Sequence, residues 1–257
     1  MIDLHNHTPL CKHATGSPEE YIKKAIEKGI KYYGFADHAP MDFDYQYRMS
    51  FEDMPKYEEK IKNLKEKYKD KIEIFLGYEV DFTPFVDKRV LERDVDYLIG
   101  SVHFLDNWGF DNPEFIKEWE ERNVDDVYKE YFYLIEKMAT SKLFDIVGHI
   151  DLIKVFGHKP SKNIKDIAKN AIKAIKKSNM AIEINTSGLR KKVKELYPGN
   201  ELLEMILNEN IDITFSSDAH SLQDVGYQIK ETIKKLKDLG VNEAVIFKNR
   251  QKEKIKI

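Results

Sequence analysis

Short apolar runs alternate with longer amphipathic segments along the chain. The short runs have the length of strands, and they are Met1–Leu4, Tyr32–Ala36, Ile72–Gly77, Tyr97–Val102, Ile146–Gly148, Ala181–Ile184, Ile211–Phe215 and Ala244–Phe247. The longer segments carry apolar residues at helical spacing, and they include Pro55–Tyr68, Val124–Ser141, Ile164–Ser178, Asn200–Asn208 and Asp224–Leu239. Alternation of strands and helices is typical of a parallel sheet that is covered by helices.

The first helix has signals at both of its ends. Ser17 and Glu20 form a capping box, and Pro18 stands at the first helical position. Gly29 follows the last turn, where a residue without a side chain favours the end of a helix. We therefore expect a helix between Pro18 and Gly29.

The number of strand–helix units favours a closed barrel over a short open sheet. A chain of 257 residues has the usual length of an α/β barrel. No stretch rich in glycine, serine or proline divides the chain, and no internal repeat is visible. We therefore predict an α/β fold with a TIM-like barrel, formed by one domain that spans residues 1–257.

Two long segments without helical or strand periodicity follow predicted strands. They are Ala39–Asp53 and His103–Asn123, and both are rich in aromatic and acidic residues. In a parallel barrel, loops that follow strands overhang the C-terminal mouth, where active sites are built. We expect both segments to border such a site.

Histidines are concentrated at the carboxyl ends of the predicted strands. The chain contains 8 histidines, and those that follow strands are His5, His7, His13, His38, His103, His149 and His220. Glu79 and Asp218 stand at the same kind of position. A single histidine at a strand end is more often a hydrogen-bonded core residue. These strand ends, however, share one face of the predicted barrel. Burial of so many imidazoles and carboxylates together costs free energy unless a metal ion binds them. The remaining histidine, His158, lies in a polar turn and is expected to be a loop residue.

This set of imidazole and carboxylate groups is larger than one ion can use, because a catalytic zinc takes about three protein ligands. We expect two or three divalent ions, and the ligand types suit Zn²⁺, Mn²⁺ or Fe²⁺. Such a cluster makes a cationic pocket for a phosphate dianion, and a hydroxide that bridges the metals can attack phosphorus in line. Cys11 stands close to His13, but a lone cysteine is more often an inert small hydrophobic residue.

Charge and composition argue against several other classes of partner. The formal net charge is −3, which gives no basic surface for nucleic acid. Cys11 is the only cysteine, so no disulfide framework is possible within the chain, as is usual in a reducing cytosol. No segment has the length and hydropathy of a membrane span. We expect a cytoplasmic protein whose partner is a small molecule, and the sequence leaves its oligomeric state open.

The motifs that carry these residues resemble those of the polymerase and histidinol phosphatase (PHP) superfamily. The matching elements are "DLHNH", His13, "DH", Glu79, "SVHF", "GHIDL" and "SSDAH", in the order that the family has. The stretches "SVHFLDNWGFDNP", "LFDIVGHIDLIKVFG" and "EINTSGLRK" are similar to those of histidinol-phosphate phosphatases of the HisJ type. The resemblance extends from Asp3 to His220.

The resemblance implies a distorted (β/α)₇ barrel with a trinuclear metal site at its C-terminal mouth. It implies hydrolysis of L-histidinol phosphate to L-histidinol and phosphate, in histidine biosynthesis. The implied ligands are His5, His7, Glu79 and Asp218 for one ion, His103, His149 and the bridging Glu79 for a second, and His13, His38 and His220 for a third. The run Ala244–Phe247 is one strand more than this barrel needs, and we expect it to be an extra edge element.

Two basic residues are candidates for binding phosphate. Arg190 follows the predicted strand in "EINTSGLRK", where a guanidinium can bind two phosphate oxygens and stabilise charge in the transition state. The alternative is a solvated arginine beside two lysines. Lys154 is the second candidate, at a place where the resembling family often has arginine. We expect Arg190, Asp218 and His220 to take part in catalysis, and Arg190 and Lys154 to bind substrate.

Three further residues have two open interpretations each. Asp37 directly precedes His38, and it either orients a ligand imidazole or caps its strand. Trp108 and Phe110 either cover the pocket or pack against their own barrel.

Other functions fit the sequence less well. Metal-dependent amidohydrolases on similar barrels also begin with His-x-His, but they usually place a lysine between their metals at strand four, where this chain has His103. A metal-binding module without turnover is disfavoured by the complete ligand set and by Arg190. The remaining alternative is a phosphoesterase that acts on another small phosphomonoester or on nucleic-acid ends.

Overall fold

A computed structural model describes residues 1–257 and contains one large parallel sheet with surrounding helices. In chain order the strands are β1 (Ile2–Asp3), β2 (Tyr32–His38), β3 (Glu73–Asp81), β4 (Tyr97–Ser101), β5 (Phe104–Leu105), β6 (Trp108–Gly109), β7 (Ile146–Val147), β8 (Ala181–Asn185), β9 (Ile213–Ser216), β10 (Glu243–Lys248) and β11 (Gln251–Lys256). The large sheet has 7 strands in the order β1-β2-β3-β4-β7-β8-β9, and every neighbouring pair is parallel.

The barrel closes where its first and last strands meet. The backbone N–H of Leu4 donates to the carbonyl of Phe215 at 2.9 Å. Asn6 and Ala219 form a parallel bridge, and the N–H of His7 donates to the carbonyl of Ala219 at 3.0 Å. These contacts join β1 to β9 and confirm the predicted seven-stranded α/β barrel.

The helices fill the connections between the strands. They are α1 (Pro18–Glu27), α2 (Met54–Tyr68), α3 (Lys88–Leu91), α4 (Val124–Ser141), α5 (Ile164–Ser178), α6 (Asn200–Asn208) and α7 (Ile229–Asp238). The capping box of Ser17 and Glu20 is present at the start of α1, as predicted. No helix combines the length and the apolar character that crossing a membrane requires.

The last helix begins later than its periodicity predicts. The expected start is Asp224, but α7 begins at Ile229. Gly226 and Gln228 have φ values of 61° and 54°, in the left-handed region that interrupts a right-handed helix. Residues 224–228 therefore stay outside the helix, and the Asp224 carboxylate is left to pair with Arg190.

The predicted strand Ala244–Phe247 lies in β10, which is not an edge of the barrel. Strand β10 pairs antiparallel with β11 in a separate hairpin. The hairpin binds residues at the N-terminal ends of barrel strands: Lys248 pairs with Glu73 at 2.7 Å, and Arg250 pairs with Asp145. It therefore covers the end of the barrel that lies opposite the C-terminal mouth, which corrects the expected edge position.

Tyr97 fills the inside of the barrel below the mouth. Its ring reaches from β4 to the first strand, where the hydroxyl donates to the carbonyl of Leu4. A side chain at Gly77 would place its Cβ 2.5 Å from the Tyr97 ring, and one at Gly34 would overlap the hydroxyl. Glycine at these two positions makes room for the tyrosine, so the barrel has a packed interior beneath the functional site.

Candidate metal centre

The histidines that follow strands meet at the C-terminal mouth of the barrel. The rings of His7 and His220 stack with centroids 3.9 Å apart, and the rings of His7 and His38 lie 4.5 Å apart. On the other side of the cluster, the centroids of His103 and His149 are 5.0 Å apart. Residues far apart in the sequence thus form one cluster because parallel strands end on one face.

The possible ligand atoms form overlapping groups in which all atoms lie within 4.8 Å of one another. These groups are His5, His7 and Asp218; Glu79, His103 and His149; His7, His38 and His220; Cys11, His13 and His220; and His7, Cys11 and Asp37. The first two correspond to the sets expected for two of the ions. The third expected set differs, because the structure groups His220 with His38 and with His13 separately. The rings of His13 and His38 are 5.3 Å apart between centroids.

Glu79 is at the centre of the cluster. Its Oε2 lies 3.2 Å from His5 Nε2 and 3.0 Å from His38 Nδ1. Its Oε1 lies 2.9 Å from His149 Nε2 and 3.5 Å from His103 Nε2. Burial alone would raise the pKa of Glu79, but the neighbouring histidines hold this pKa well below its usual range. The carboxylate faces both halves of the cluster, as a bridging ligand must.

Carboxylates behind the rings hold three of the imidazoles by their Nδ1 atoms. Glu183 Oε2 lies 3.0 Å from Nδ1 of His5, and Asp37 Oδ1 lies 3.3 Å from Nδ1 of His7. Such contacts fix the ring orientation and direct Nε2 to the centre. Asp37 therefore orients an imidazole, but that of His7 rather than that of the adjacent His38.

His103 has the same arrangement. Its Nδ1 lies 2.8 Å from Asp81 Oδ1. Burial would lower the pKa of His103, but the charges of Asp81 and Glu79 raise it to about 10. Sequence reasoning missed Asp81 and Glu183. The sequence contains a signal that could have identified each of them. Asp81 follows Glu79 by two positions and therefore shares its face of β3. Glu183 is a charged residue inside the apolar run of β8.

The cluster fits divalent metal ions. His5 Nε2, His7 Nε2 and His38 Nδ1 are buried and have no hydrogen-bond partner, although carboxylate oxygens lie close to each of them. Buried polar nitrogens without partners are costly. A cation between these nitrogens and the carboxylates of Glu79 and Asp218 removes that cost, and nitrogen and carboxylate donors suit Zn²⁺, Mn²⁺ or Fe²⁺.

A cavity of about 610 Å³ opens over the cluster. Both long segments that were expected at the mouth contribute to its wall, with Tyr47 and Arg48 from the first and Phe104, Asp111 and Phe115 from the second. Trp108 and Phe110 do not line it. They are buried, and they pack against Trp119 and Tyr131 beneath the loop.

Arg190 lines the cavity beside the end of β9. Its Nη2 donates to the carbonyl oxygens of Ser217 and Asp218 at 2.9 and 3.1 Å, and its Nε pairs with Asp224 at 3.0 Å. Its Nη1 is buried and has no protein partner. The guanidinium is thus held in place by protein acceptors, with Nη1 left without one, whereas a solvated arginine would not have these contacts.

Lys154 faces away from this cavity, contrary to the expected contact with substrate. Its Nζ lies 2.9 Å from Asp151 Oδ2 and 3.1 Å from Glu195 Oε2, and it donates to the carbonyl of Leu196 at 2.8 Å. Together these acceptors use the donors of the ammonium group. The side chain lines a different cavity, on the other side of the short helix Leu152–Lys154. The position of Lys154, five residues after His149 in the sequence, did not reveal this orientation.

The remaining candidates lie at the edge of the cluster or outside it. Cys11 is fully buried, with its sulfur near the ring nitrogens of His13 and His220. His158 lies outside the cluster and stacks on Trp119 with centroids 4.3 Å apart. It is therefore a loop residue, as expected, with a packing role.

Comparison with known proteins agrees with this arrangement. The family model "PHP domain" matches residues 3–187. A protein of Deinococcus radiodurans named "Probable histidinol-phosphatase" is 39% identical over 257 residues, which cover 98% of both chains. The histidinol-phosphatase of Bacillus subtilis is 30% identical, over 88% of this chain and 95% of its own.

A solved structure has the same fold. It is the histidinol phosphate phosphatase of Lactococcus lactis in complex with zinc, L-histidinol and phosphate. It is 19% identical, covers 98% of each chain and superposes with a TM-score of 0.81. The chain is therefore a member of the PHP domain family and, within that family, of the group that contains the histidinol-phosphatases.

Proposed function

We propose that this protein is a metal-dependent phosphomonoesterase that hydrolyses L-histidinol phosphate to L-histidinol and phosphate, in histidine biosynthesis. The observation that carries the proposal is the central Glu79 carboxylate, within 3.5 Å of ring nitrogens of His5, His38, His103 and His149, directly below an open cavity. Relatives named for this activity are similar over nearly the whole chain. The lone buried cysteine suits a cytoplasmic setting.

The ligand set suggests three divalent ions, which we propose are Zn²⁺, Mn²⁺ or Fe²⁺. His5, His7 and Asp218 would hold one ion and His103 and His149 another, with Glu79 shared between them. His13, His38 and His220 are the proposed ligands of the third. When bound, such ions supply positive charge and an activated water for attack on phosphorus.

The chain's own residues position the substrate. Arg190 is proposed to bind phosphate oxygens through its free Nη1 and to stabilise the charge that develops on them. Asp218 supports this function in two ways. Its carbonyl holds the guanidinium, and its carboxylate stays ionised, because His5, His7 and His220 keep its pKa well below the usual range despite burial. We assign catalytic roles to Asp218, His220 and Arg190, and substrate binding to Arg190.

The test is phosphate release by the protein purified without chelator. L-histidinol phosphate is compared with glycerol phosphate and with a single-stranded oligonucleotide, for the wild type, His7→Ala and His158→Ala. His158 provides the control because it is a histidine outside the cluster. The proposal predicts preference for histidinol phosphate, loss of activity in His7→Ala and wild-type activity in His158→Ala.

Each other outcome has a definite meaning. Turnover of other phosphates without preference for histidinol phosphate would keep the phosphoesterase chemistry and overturn the substrate. Hydrolysis of the oligonucleotide would favour the nucleic-acid alternative. Absence of turnover after any of the three metals is restored would overturn the enzymatic function.

A further inference from the structure

The carboxylate of Asp111 lines the cavity over the metal cluster, and the one protein group that supports its charge by a hydrogen bond is its own backbone N–H. Two other carboxylates of the cavity that lie outside the ligand groups are paired: Asp44 with Arg48 at 2.8 Å, and Asp224 with Arg190 at 3.0 Å. Asp111 forms no ion pair and accepts no hydrogen bond from another side chain, and it belongs to none of the groups of possible metal ligands. Among these three residues, only its carboxylate is free to bind a group that enters the cavity.

A free carboxylate is unfavourable in a pocket for phosphate esters. Both charges are negative, and their repulsion is strong where water is excluded. Burial also raises the pKa of Asp111, although the charges of His103 and His149 and the backbone N–H of Asp111 act in the opposite direction. The carboxylate becomes favourable when the substrate carries a cation close to its phosphate.

The position of Asp111 suits such a cation. Asp111, His103 and His149 line the same cavity, and the pairing of Phe104 with Gly109 brings the segment that carries Asp111 beside the residue that follows His103. In a 2-amino alcohol phosphate, the ammonium nitrogen is three bonds from the ester oxygen. A phosphate bound at the cluster therefore carries this ammonium group into the same region of the cavity.

Aromatic residues border the same cavity. Phe104, Phe115 and Tyr47 line it together with Asp111, and they offer apolar surface for a flat ring. An imidazole ring with a pKa near 6.5 is mostly neutral above about pH 7, so it suits this apolar surface. An aliphatic ammonium group keeps its charge at that pH, so it suits the carboxylate of Asp111 instead.

We propose that Asp111 binds the ammonium group of the substrate and thereby selects phosphate esters of 2-amino alcohols. The inference rests on the proposed function and adds to it the residue that distinguishes histidinol phosphate from other phosphomonoesters. Asp111 acts here in specificity, by an ion pair with a part of the substrate that does not react.

The experiment compares Asp111→Asn with the wild type on two pairs of substrates. The first pair is L-histidinol phosphate and its analogue without the amine, 3-(imidazol-4-yl)propyl phosphate. The second pair is O-phosphoethanolamine and ethyl phosphate. Removal of the charge should lower kcat/KM for the amine-bearing member by about 10- to 100-fold, mainly through KM, because a hydrogen bond to a charged group is lost. Activity on the member without the amine should stay the same or rise.

Asp106→Asn is the matched control, because Asp106 is an exposed aspartate in the same loop and does not line the cavity. Both variants are checked for wild-type metal content and secondary structure. Asp111→Glu should recover part of the preference for the amine. Binding of L-histidinol by calorimetry gives the same comparison without turnover, and the Kd should rise about 10- to 100-fold in Asp111→Asn only.

The result that overturns the inference is an equal loss on both members of each pair, or an unchanged Kd for L-histidinol. The proposed function would then still stand if the wild type prefers histidinol phosphate. Conversely, a wild type without that preference refutes the proposed function, and the pair of phosphoethanolamine and ethyl phosphate still decides the role of Asp111.

Discussion

The carboxylate of Asp81 joins two buried groups at the edge of the metal cluster. Its Oδ1 lies 2.8 Å from Nδ1 of His103, and its Oδ2 accepts a hydrogen bond from Nη1 of Arg48 at 2.8 Å. The carboxylate thereby fixes the imidazole so that Nε2 faces Glu79 at 3.5 Å. Through these two contacts, Asp81 connects the loop that carries Arg48 to the candidate metal ligand His103.

Asp81→Asn should weaken metal binding by about 10- to 100-fold, because the ring of His103 loses the carboxylate that orients it. The measurement is the metal retained per chain after equilibration with a series of chelator concentrations. Asp94→Asn serves as control, since the Asp94 side chain is 87% exposed and lies on the surface. Equal metal retention in wild type and Asp81→Asn would show that packing alone orients this histidine.

Arg190→Ala should lower kcat/KM by about 10²- to 10³-fold, because it removes from the wall of the cavity a guanidinium whose Nη1 has no protein partner. Arg190→Lys should recover little, since an ammonium group cannot keep the contacts to two carbonyls and bind phosphate as well. Steady-state kinetics with histidinol phosphate measure both variants, beside Lys192→Ala as an exposed basic control. A loss of tenfold or less in Arg190→Ala would contradict the phosphate-binding role.

Lys154→Met should leave kcat/KM within about threefold of the wild type, because the ammonium group faces a different cavity. The same change should lower the free energy of unfolding by about 3 kcal/mol, since it leaves the buried Asp151 without its cation. Denaturant unfolding and kinetics on one preparation give both values. A large loss of kcat/KM at unchanged stability would mean that Lys154 contacts the substrate after all.

The charge of Asp3 should make stability depend on pH. Asp3 accepts hydrogen bonds from the N–H and hydroxyl of Ser217 at 2.8 and 2.6 Å, yet burial raises its pKa from 3.8 to about 6. The folded state therefore holds the proton more tightly than the unfolded state. The contribution of Asp3 is complete below about pH 4, and it is lost as the pH rises to about 6.

This loss can be isolated with Asp3→Asn. The free energy of unfolding of the wild type should fall relative to that of the variant by about 3 kcal/mol between pH 4 and 7. Metal-free protein is used for both, so that metal binding does not contribute. A difference between the two proteins that stays constant with pH would show that Asp3 remains ionised in the folded state.

Much of the fold follows from periodicity in the sequence. The helices Val124–Ser141, Ile164–Ser178 and Asn200–Asn208 have their predicted bounds, because each has a continuous apolar face. The strand Ala244–Phe247 has the same local pattern as the barrel strands, but its partner is a neighbouring segment of the chain. Periodicity reports that a residue is buried and does not report which element covers it.

In the candidate site, too, some features follow from the sequence pattern and others depend on tertiary packing. Strand ends bring His5, His103 and Asp218 to one mouth by topology alone, so their approach could be predicted. The direction of Lys154 depends on the turn of a short helix, and the partner of Asp81 depends on a long loop. Neither follows from a rule of spacing, because both are decided by tertiary packing.

The closure of the barrel between Asn6 and Ala219 has a consequence for protein synthesis. One side of the cluster, His5 and His7, is made more than 200 residues before the other side, Asp218 and His220. Contacts between such distant residues form late, because the loop that they close is long. A nascent chain therefore lacks a complete set of ligands until His220 has been made, and shorter chains cannot carry out the proposed hydrolysis.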